Sequence, residues 1–267
     1  MKNNFNFFYL LAYFVVCLNF LAYGNEQFNF DVTEIEINKN GNEIKGLKRG
    51  KISTKEGLTI NADTFKFNKT LNLLTADGNI IIEDIKEDII IFAEKISYDK
   101  NKEIIVGEGN IKFNNDSIKI RANKLQYLKL ENIITAEKDV VAEDKLNDLI
   151  IFTNKITYFK NKEKILTDDN TKAIIHSKYK FESKNVSYLR NKKELSSFYR
   201  TKIIENEKKL FEFENFIFDV EKELLKANNM SINDNIKNSK ELSNNLFFKD
   251  GFFDLKNKKF IAGETEI

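Results

Sequence analysis

The sequence predicts an all-β fold of stacked antiparallel hairpins, and three observations predict it. An Ala-x-x-apolar-x-aromatic pattern returns roughly every thirty residues. Apolar and polar residues alternate with period two from Ala62 to Tyr188 almost without interruption, so each run buries one face. Pairs such as Gly-Asn and Asn-Gly stand between the runs and supply residues that tolerate positive φ.

The clearest unit is Ala93 to Phe113. Ala93, Ile96 and Tyr98 open it, a polar turn follows through Asp99 to Lys102, and Ile104 to Val106 leads to Gly109-Asn110-Ile111-Lys112-Phe113. It reads as strand, turn, strand, with Gly109-Asn110 as a second turn. The frame recurs at Ala62 (Phe65, Phe67, Gly78-Asn79), Ala122 (Leu125, Tyr127, Lys138-Asp139), Thr153 (Ile156, Tyr158, Asp169-Asn170) and Ser183 (Val186, Tyr188). The anchors step by 31, 29, 31 and 30, and the first four stand 16 residues before their turn pair. Fixed internal spacing with slippage between copies is what stacked hairpins give, since no hairpin buries its apolar face alone.

The N-terminus reads as a leader. Lys2 precedes an apolar run from Phe5 to Tyr23, and Ala22 and Gly24 are small residues where a signal peptidase reads, so cleavage is expected after Gly24 and the mature domain spans 25–267. The run is also long enough for a retained anchor. Cleavage removes Cys17, the only cysteine, and leaves no disulfide or thiol chemistry. It also removes Lys2, so 43 basic residues become 42 against 41 acidic. Charges so balanced and interspersed describe solvated strand faces and argue against a nucleic-acid partner.

The elements follow in order. Phe28, Phe30 and Val32 alternate, as do Ile35 and Ile37, and Asn40-Gly41 marks a tight turn. Ile52, Leu58 and Ile60 lead into the core repeats, 58–190. Phe211 to Phe218 keeps the step from Ser183. Glu221 to Met230 suits a short helix or another strand, Ile232 to Asn245 a polar loop or hairpin tip, and Leu246 to Phe253 a hairpin turning at Asp250-Gly251. The sequence stops at Ile267 within an apolar run from Phe260, which suggests truncation.

Little points to catalysis. His176 is the one histidine and reads as a surface-facing strand residue, with no second histidine to complete a metal site. Asp168-Asp169 falls at a repeat turn, and the glycines are too scattered for a phosphate loop. The sequence predicts no enzyme, no metal and no cofactor.

What remains is the apolar face. Phe65, Phe67, Ile82, Ile91, Ile96, Tyr98, Ile111, Phe113, Ile118, Ile120, Leu125, Tyr127, Ile151, Ile156 and Tyr158 point inward if each strand keeps register. They form either a plain core or, across two facing sheets, an elongated trough able to take acyl chains with charged head groups outside. A structural or adhesive exported β-solenoid without lipid is the alternative.

An exported chain with repeated Ala-Asp/Glu-x-apolar-x-Tyr/Phe, a turn and Gly-Asn-Ile resembles the OstA-like (organic solvent tolerance) β-jellyroll family of lipopolysaccharide transport. That family includes the bridge protein LptA, the membrane-anchored LptC and the N-terminal domain of LptD. The resemblance covers Phe30 to Tyr188 well and Leu195 to Ile267 loosely, and the length is most similar to the LptD domain, with LptA next. The C-terminal barrel and the cysteines of some barrel-bearing members are absent from this sequence. The resemblance implies a Gram-negative periplasmic location at the outer membrane. It also implies lipopolysaccharide in the interior and edge-to-edge docking with other jellyrolls, and with an outer-membrane barrel if the full chain carries one. The edge expected to meet the bridge is Phe28, Phe30, Val32, Ile35 and Ile37.

Overall fold

The computed structural model describes residues 28–233 and 245–266. The expected leader, Cys17 and the cleavage point lie outside the described residues, as does most of the polar stretch before Asn245. Period-two alternation and β-branched, aromatic-rich runs make strands almost throughout. They are β1 Asn29–Val32, β2 Ile35–Asn38, β3 Glu43–Gly46, β4 Gly50–Ser53, β5 Leu58–Ala62, β6 Thr64–Asn68, β7 Leu73–Asp84, β8 Ile89–Asp99, β9 Ile104–Asn115, β10 Ile118–Leu128 and β11 Ile133–Asp144. There follow β12 Leu149–Phe159, β13 Lys164–Ile175, β14 Tyr179–Lys184, β15 Ser187–Leu189, β16 Glu194–Ser197, β17 Thr201–Glu205, β18 Lys209–Phe213, β19 Asn215–Asp219, β20 Leu224–Asn233, β21 Asn245–Asp254 and β22 Lys259–Glu266. Among the described residues the only helical turns are short 3-10 segments at Lys160–Lys162 and Arg190–Lys192.

All pairing is antiparallel, and each long strand serves two leaves. The ladder between β7 and β8 runs Leu73↔Asp99 to Asp77↔Lys95, breaks, and resumes from Ile80↔Ala93 to Asp84↔Ile89. The same break recurs between β9 and β10, β11 and β12, and β12 and β13. Every long strand therefore crosses from one leaf to the other, and the line of breaks is a spine. From β14 onward the crossing strands are cut in two: β14 and β17 continue the first leaf while β15 and β16 continue the second, until β20 bridges both again. At the other end β5, β4 and β1 extend the first leaf and β6, β3 and β2 the second. The result is an elongated antiparallel β-jellyroll of roughly thirty-residue repeats.

The spine corrects the reading of the Gly-Asn pairs. Gly109 (φ +78°) and Asn110 (φ +45°) do not reverse the chain. They lie inside β9, which pairs with β10 on both sides of them, at Glu108↔Lys124 and Ile111↔Ala122. Positive φ within a continuing ladder inserts extra residues, and the strand bends as a bulge. Gly78-Asn79, Lys138-Asp139 and Asp169 hold the same position in β7, β11 and β13, all at positive φ. Asp168-Asp169 is thus a bend rather than a turn.

The spacing of 16 has a local cause. Asn79 Nδ2 donates to Asp63 Oδ2 at 2.7 Å, Asn110 Nδ2 to Glu94, Asn123 Nδ2 to Asp139 Oδ2 at 3.1 Å, and the Asp169 backbone N–H to Asn185 Oδ1 at 2.7 Å. Each pair is 16 residues apart and staples one bend to the next.

Other expectations divide. Asn40-Gly41 does turn β2 into β3, at φ +56° and +87°. Glu221 to Met230 is a turn followed by strand, with no helix, and Ile232 and Asn233 complete β20. Asp250-Gly251 is no hairpin turn but the interior of β21, because Leu224↔Asp254 and Ile232↔Leu246 belong to one ladder. His176 (φ +51°) sits in the turn between β13 and β14, not in a strand.

Candidate functional site: a closed apolar interior and its charged lip

The leaves face one another across the alternate side chains of every strand. Phe113 of the first leaf meets Tyr158 of the second edge to face, centroids 6.3 Å apart. Tyr179 meets Phe218 at 5.7 Å and Phe181 meets Phe216 at 5.3 Å. Burial on this scale is the main force closing the leaves, at about 1.5–3 kcal/mol for each large side chain.

All fifteen sequence-expected lining residues point into this interior. Ile82, Ile91, Ile111, Phe113, Ile118, Ile120 and Ile151 come from the first leaf, and Phe65, Phe67, Ile96, Tyr98, Leu125, Tyr127, Ile156 and Tyr158 from the second. None is more than 6 % exposed. Side chains of the facing leaves meet within this interior, as the Phe113–Tyr158 and Phe181–Phe216 rings do. Of the expected edge residues, Phe30 and Val32 lie on β1 and Ile35 and Ile37 on β2. Among the described residues each strand has a single hydrogen-bonded neighbour, β4 and β3 respectively. Ile35 and Ile37 are exposed, whereas Phe28 precedes β1 with its ring buried against Phe67 and Tyr98.

Opposite the spine, two rows of hairpin turns meet as lips. The second leaf's turns stack through the backbone: Lys100 N–H donates to Asn72 O, Lys129 N–H to Glu103 O, Lys160 N–H to Asn132 O and Arg190 N–H to Glu163 O. Each acceptor residue is left-handed, at φ between +46° and +55°. This places a cation at the same point of four successive turns, and each reaches a carboxylate on the first leaf's lip. Lys100 Nζ lies 3.2 Å from Glu56, Lys129 Nζ 2.7 Å from Asp84, Lys160 Nζ 3.1 Å from Glu87, and Arg190 Nε 3.2 Å from Asp144. A fifth tie has the opposite polarity: Lys178 of the first lip meets Glu223 of the second at 2.9 Å.

Tyrosine hydroxyls lie beneath these ties. Tyr98 donates to Glu103 at 2.7 Å, Tyr188 to Asp144 at 2.7 Å, Tyr179 to Glu223 at 2.7 Å, and Tyr158 to Asn115 at 3.4 Å. Burial pushes the Tyr158 hydroxyl up to about 12, and burial first, then the neighbouring carboxylates, raises Tyr98, Tyr179 and Tyr188 further. They stay protonated donors at any physiological pH. Burial opposes the charge of Lys100 and of Arg190, but their carboxylate partners more than restore it and both titrate above their ordinary values.

Sequence reasoning passed over this lip, although it carries a signal. Tyr98-x-Lys100, Tyr127-x-Lys129, Tyr158-x-Lys160 and Tyr188-x-Arg190 are one motif, an inward aromatic two residues before a cation, at steps of 29, 31 and 30. A groove of about 620 Å³ lies outside the spine between Phe152, Lys172, Lys184 and Arg200, lined mostly by charged and polar residues. Among the described residues no group of three His, Cys, Asp or Glu side chains is placed to hold a metal ion.

No protein-family model matches the chain, and no curated protein matches it. Among solved structures it is similar to the crystal structure of LptH, the LptA-homologous periplasmic component of the lipopolysaccharide transport device of Pseudomonas aeruginosa. The two are 11 % identical, with 80 % of this chain and 96 % of that one covered, at a TM-score of 0.22. The assignment of this chain as an antiparallel β-jellyroll rests on its own strand pairing.

Proposed function

We propose that this chain is an exported lipopolysaccharide-transport jellyroll, most like the N-terminal domain of LptD. It would accept lipid acyl chains between its leaves and join neighbouring jellyrolls through its end strands. The observation that supports the reading is a continuous apolar interior running the length of two leaves from β6 to β13, with β1 and β2 each paired on one side only among the described residues. Such an interior offers acyl chains a dry path, and an unpaired edge offers backbone groups to an incoming strand. Nothing in the reading requires a reaction. A second reading, a structural rod without lipid, is favoured by the near-complete burial of the interior side chains.

Photo-cross-linking in cells tests the two. A light-activated phenylalanine analogue at Phe67, Phe113 or Ile120 is expected to capture lipopolysaccharide, whereas the outward positions Lys66, Lys112 and Lys119 are not. Equal absence of adducts at all six positions, in a folded and exported chain, would leave the rod.

A further inference from the structure

We infer that the lip is a lateral gate. The four cations Lys100, Lys129, Lys160 and Arg190 exchange their carboxylate partners for the head group of an anionic acylated lipid while its chains enter between the leaves. The inference rests on the transport reading and adds where the lipid enters and what opens the way.

The topology allows one line of opening. Along the spine the leaves share backbone, since β7 to β13 each cross it, so parting them there means breaking strands. Along the lip they share only side chains. The charged ties are partly buried, with Asp84 and Asp144 side chains 3 % and 0 % exposed and their cations 13 % and 12 %. Ion pairs so placed have lost much of their hydration, and either partner left alone is costly. A lip that merely opened would leave the buried Asp84 and Asp144 without their cations and Lys160 without Glu87, while Lys100 and Lys129 kept only Glu103 and Arg190 only Glu163 on their own lip. A lip that opened onto an anionic head group would give the cations new partners, because phosphate oxygens accept from Lys and Arg as carboxylates do. The geometry matches an amphiphile: the cations form a row on one lip, and the buried apolar side chains of Tyr98, Tyr127, Tyr158 and Tyr188 lie directly beneath them.

The test is a covalent lock. In a Cys17→Ser background, Glu87→Cys and Lys160→Cys are joined across the lip with a short bis-maleimide. A control joins Gln126→Cys to Thr135→Cys, register partners on the outer face of the second leaf. Thermal melts confirm that each linked protein is folded. Uptake of a fluorescent diacyl phosphatidic acid from vesicles is then followed beside that of the matching phosphatidylcholine. The lip link is expected to slow phosphatidic acid uptake by about tenfold or more, with the control link without effect and phosphatidylcholine slower than phosphatidic acid in the unlinked protein. Uptake that ignores the lip link would overturn the gate and leave lipid transport standing. Equal uptake of the two lipids would overturn the exchange of ion partners. No uptake by linked or unlinked protein would remove the transport reading and the gate with it.

Discussion

The spine and the lip are written by the same repeat and held by opposite means. At the spine the chain is continuous, and the staples are short-range amides and carboxylates 16 residues apart, exposed to water. At the lip no strand crosses from β7 to β13, and the ties are charged, partly buried and reach between leaves over separations of 44 to 73 residues in sequence. A repeat protein needs one connection that fixes its shape and leaves another that can part. The difference shows which is which: the staples set curvature, and the charged ties set closure.

Three perturbations sharpen that contrast. The largest is expected from Asp144→Ala. This carboxylate accepts from Tyr188, Asn147 and Arg190, so its loss leaves the buried Tyr188 hydroxyl without its acceptor and the Arg190 guanidinium with only the more exposed Asp116 and Glu163 and with Ser117, at about 1 to 3 kcal/mol. Urea denaturation reads it, and a loss below about 1 kcal/mol would mean that the lip contributes little to closure. Next comes Gly109→Ala at the spine, where φ is +78° and an added Cβ would stand 2.8 Å from the Glu94 Cβ. A destabilisation of about 1 to 2 kcal/mol is expected there. Lys138, at φ +68° in the equivalent place, gives the reverse experiment: Lys138→Gly is expected to stabilise by up to about 1 kcal/mol. If both changes destabilise alike, strain is not what distinguishes the copies.

The smallest effect is acid loosening of the lip. Burial would raise Glu223, but hydrogen bonds from Lys178 and Tyr179 outweigh it and hold the group below its ordinary 4.5. Glu56 is likewise low, chiefly through its own backbone N–H and despite some burial, with Thr54 and Lys100 assisting. A depressed carboxylate stabilises the fold above its unfolded value and stops doing so as pH falls through its folded one. Urea midpoints should therefore fall between about pH 5 and pH 3, and Glu223→Gln should flatten that dependence. An unchanged slope in the variant would assign the acid effect to other carboxylates.

The fold was legible because burial imposes period two on every strand, and Ile80/Ile82 or Ile118/Ile120 cannot satisfy it any other way. The interior residues were legible for the same reason. The bends were found at the right residues and given the wrong shape. Positive φ at Gly109-Asn110 is compatible with a reversal or a bulge, and only the ladder beyond it decides. Phe211 to Phe218 kept the repeat step, yet the crossing strand there is cut into β18 and β19. The lip was missed because the Tyr-x-cation motif marks only one side of each tie, and partners such as Lys160 and Glu87 are brought together by stacking.

The crossing of every long strand also fixes a parity. From β8 to β12 each strand pairs with the one before and the one after it in sequence, so stability there is a chain of nearest-neighbour terms and the contour can lengthen by insertion. One added strand would deliver every later turn to the wrong lip and set cation against cation. Two added strands restore the match and extend the molecule by about 9.6 Å, twice the strand spacing. The quantum of growth is therefore a single hairpin, two strands of roughly thirty residues together, the same step that separates successive tyrosines in the sequence.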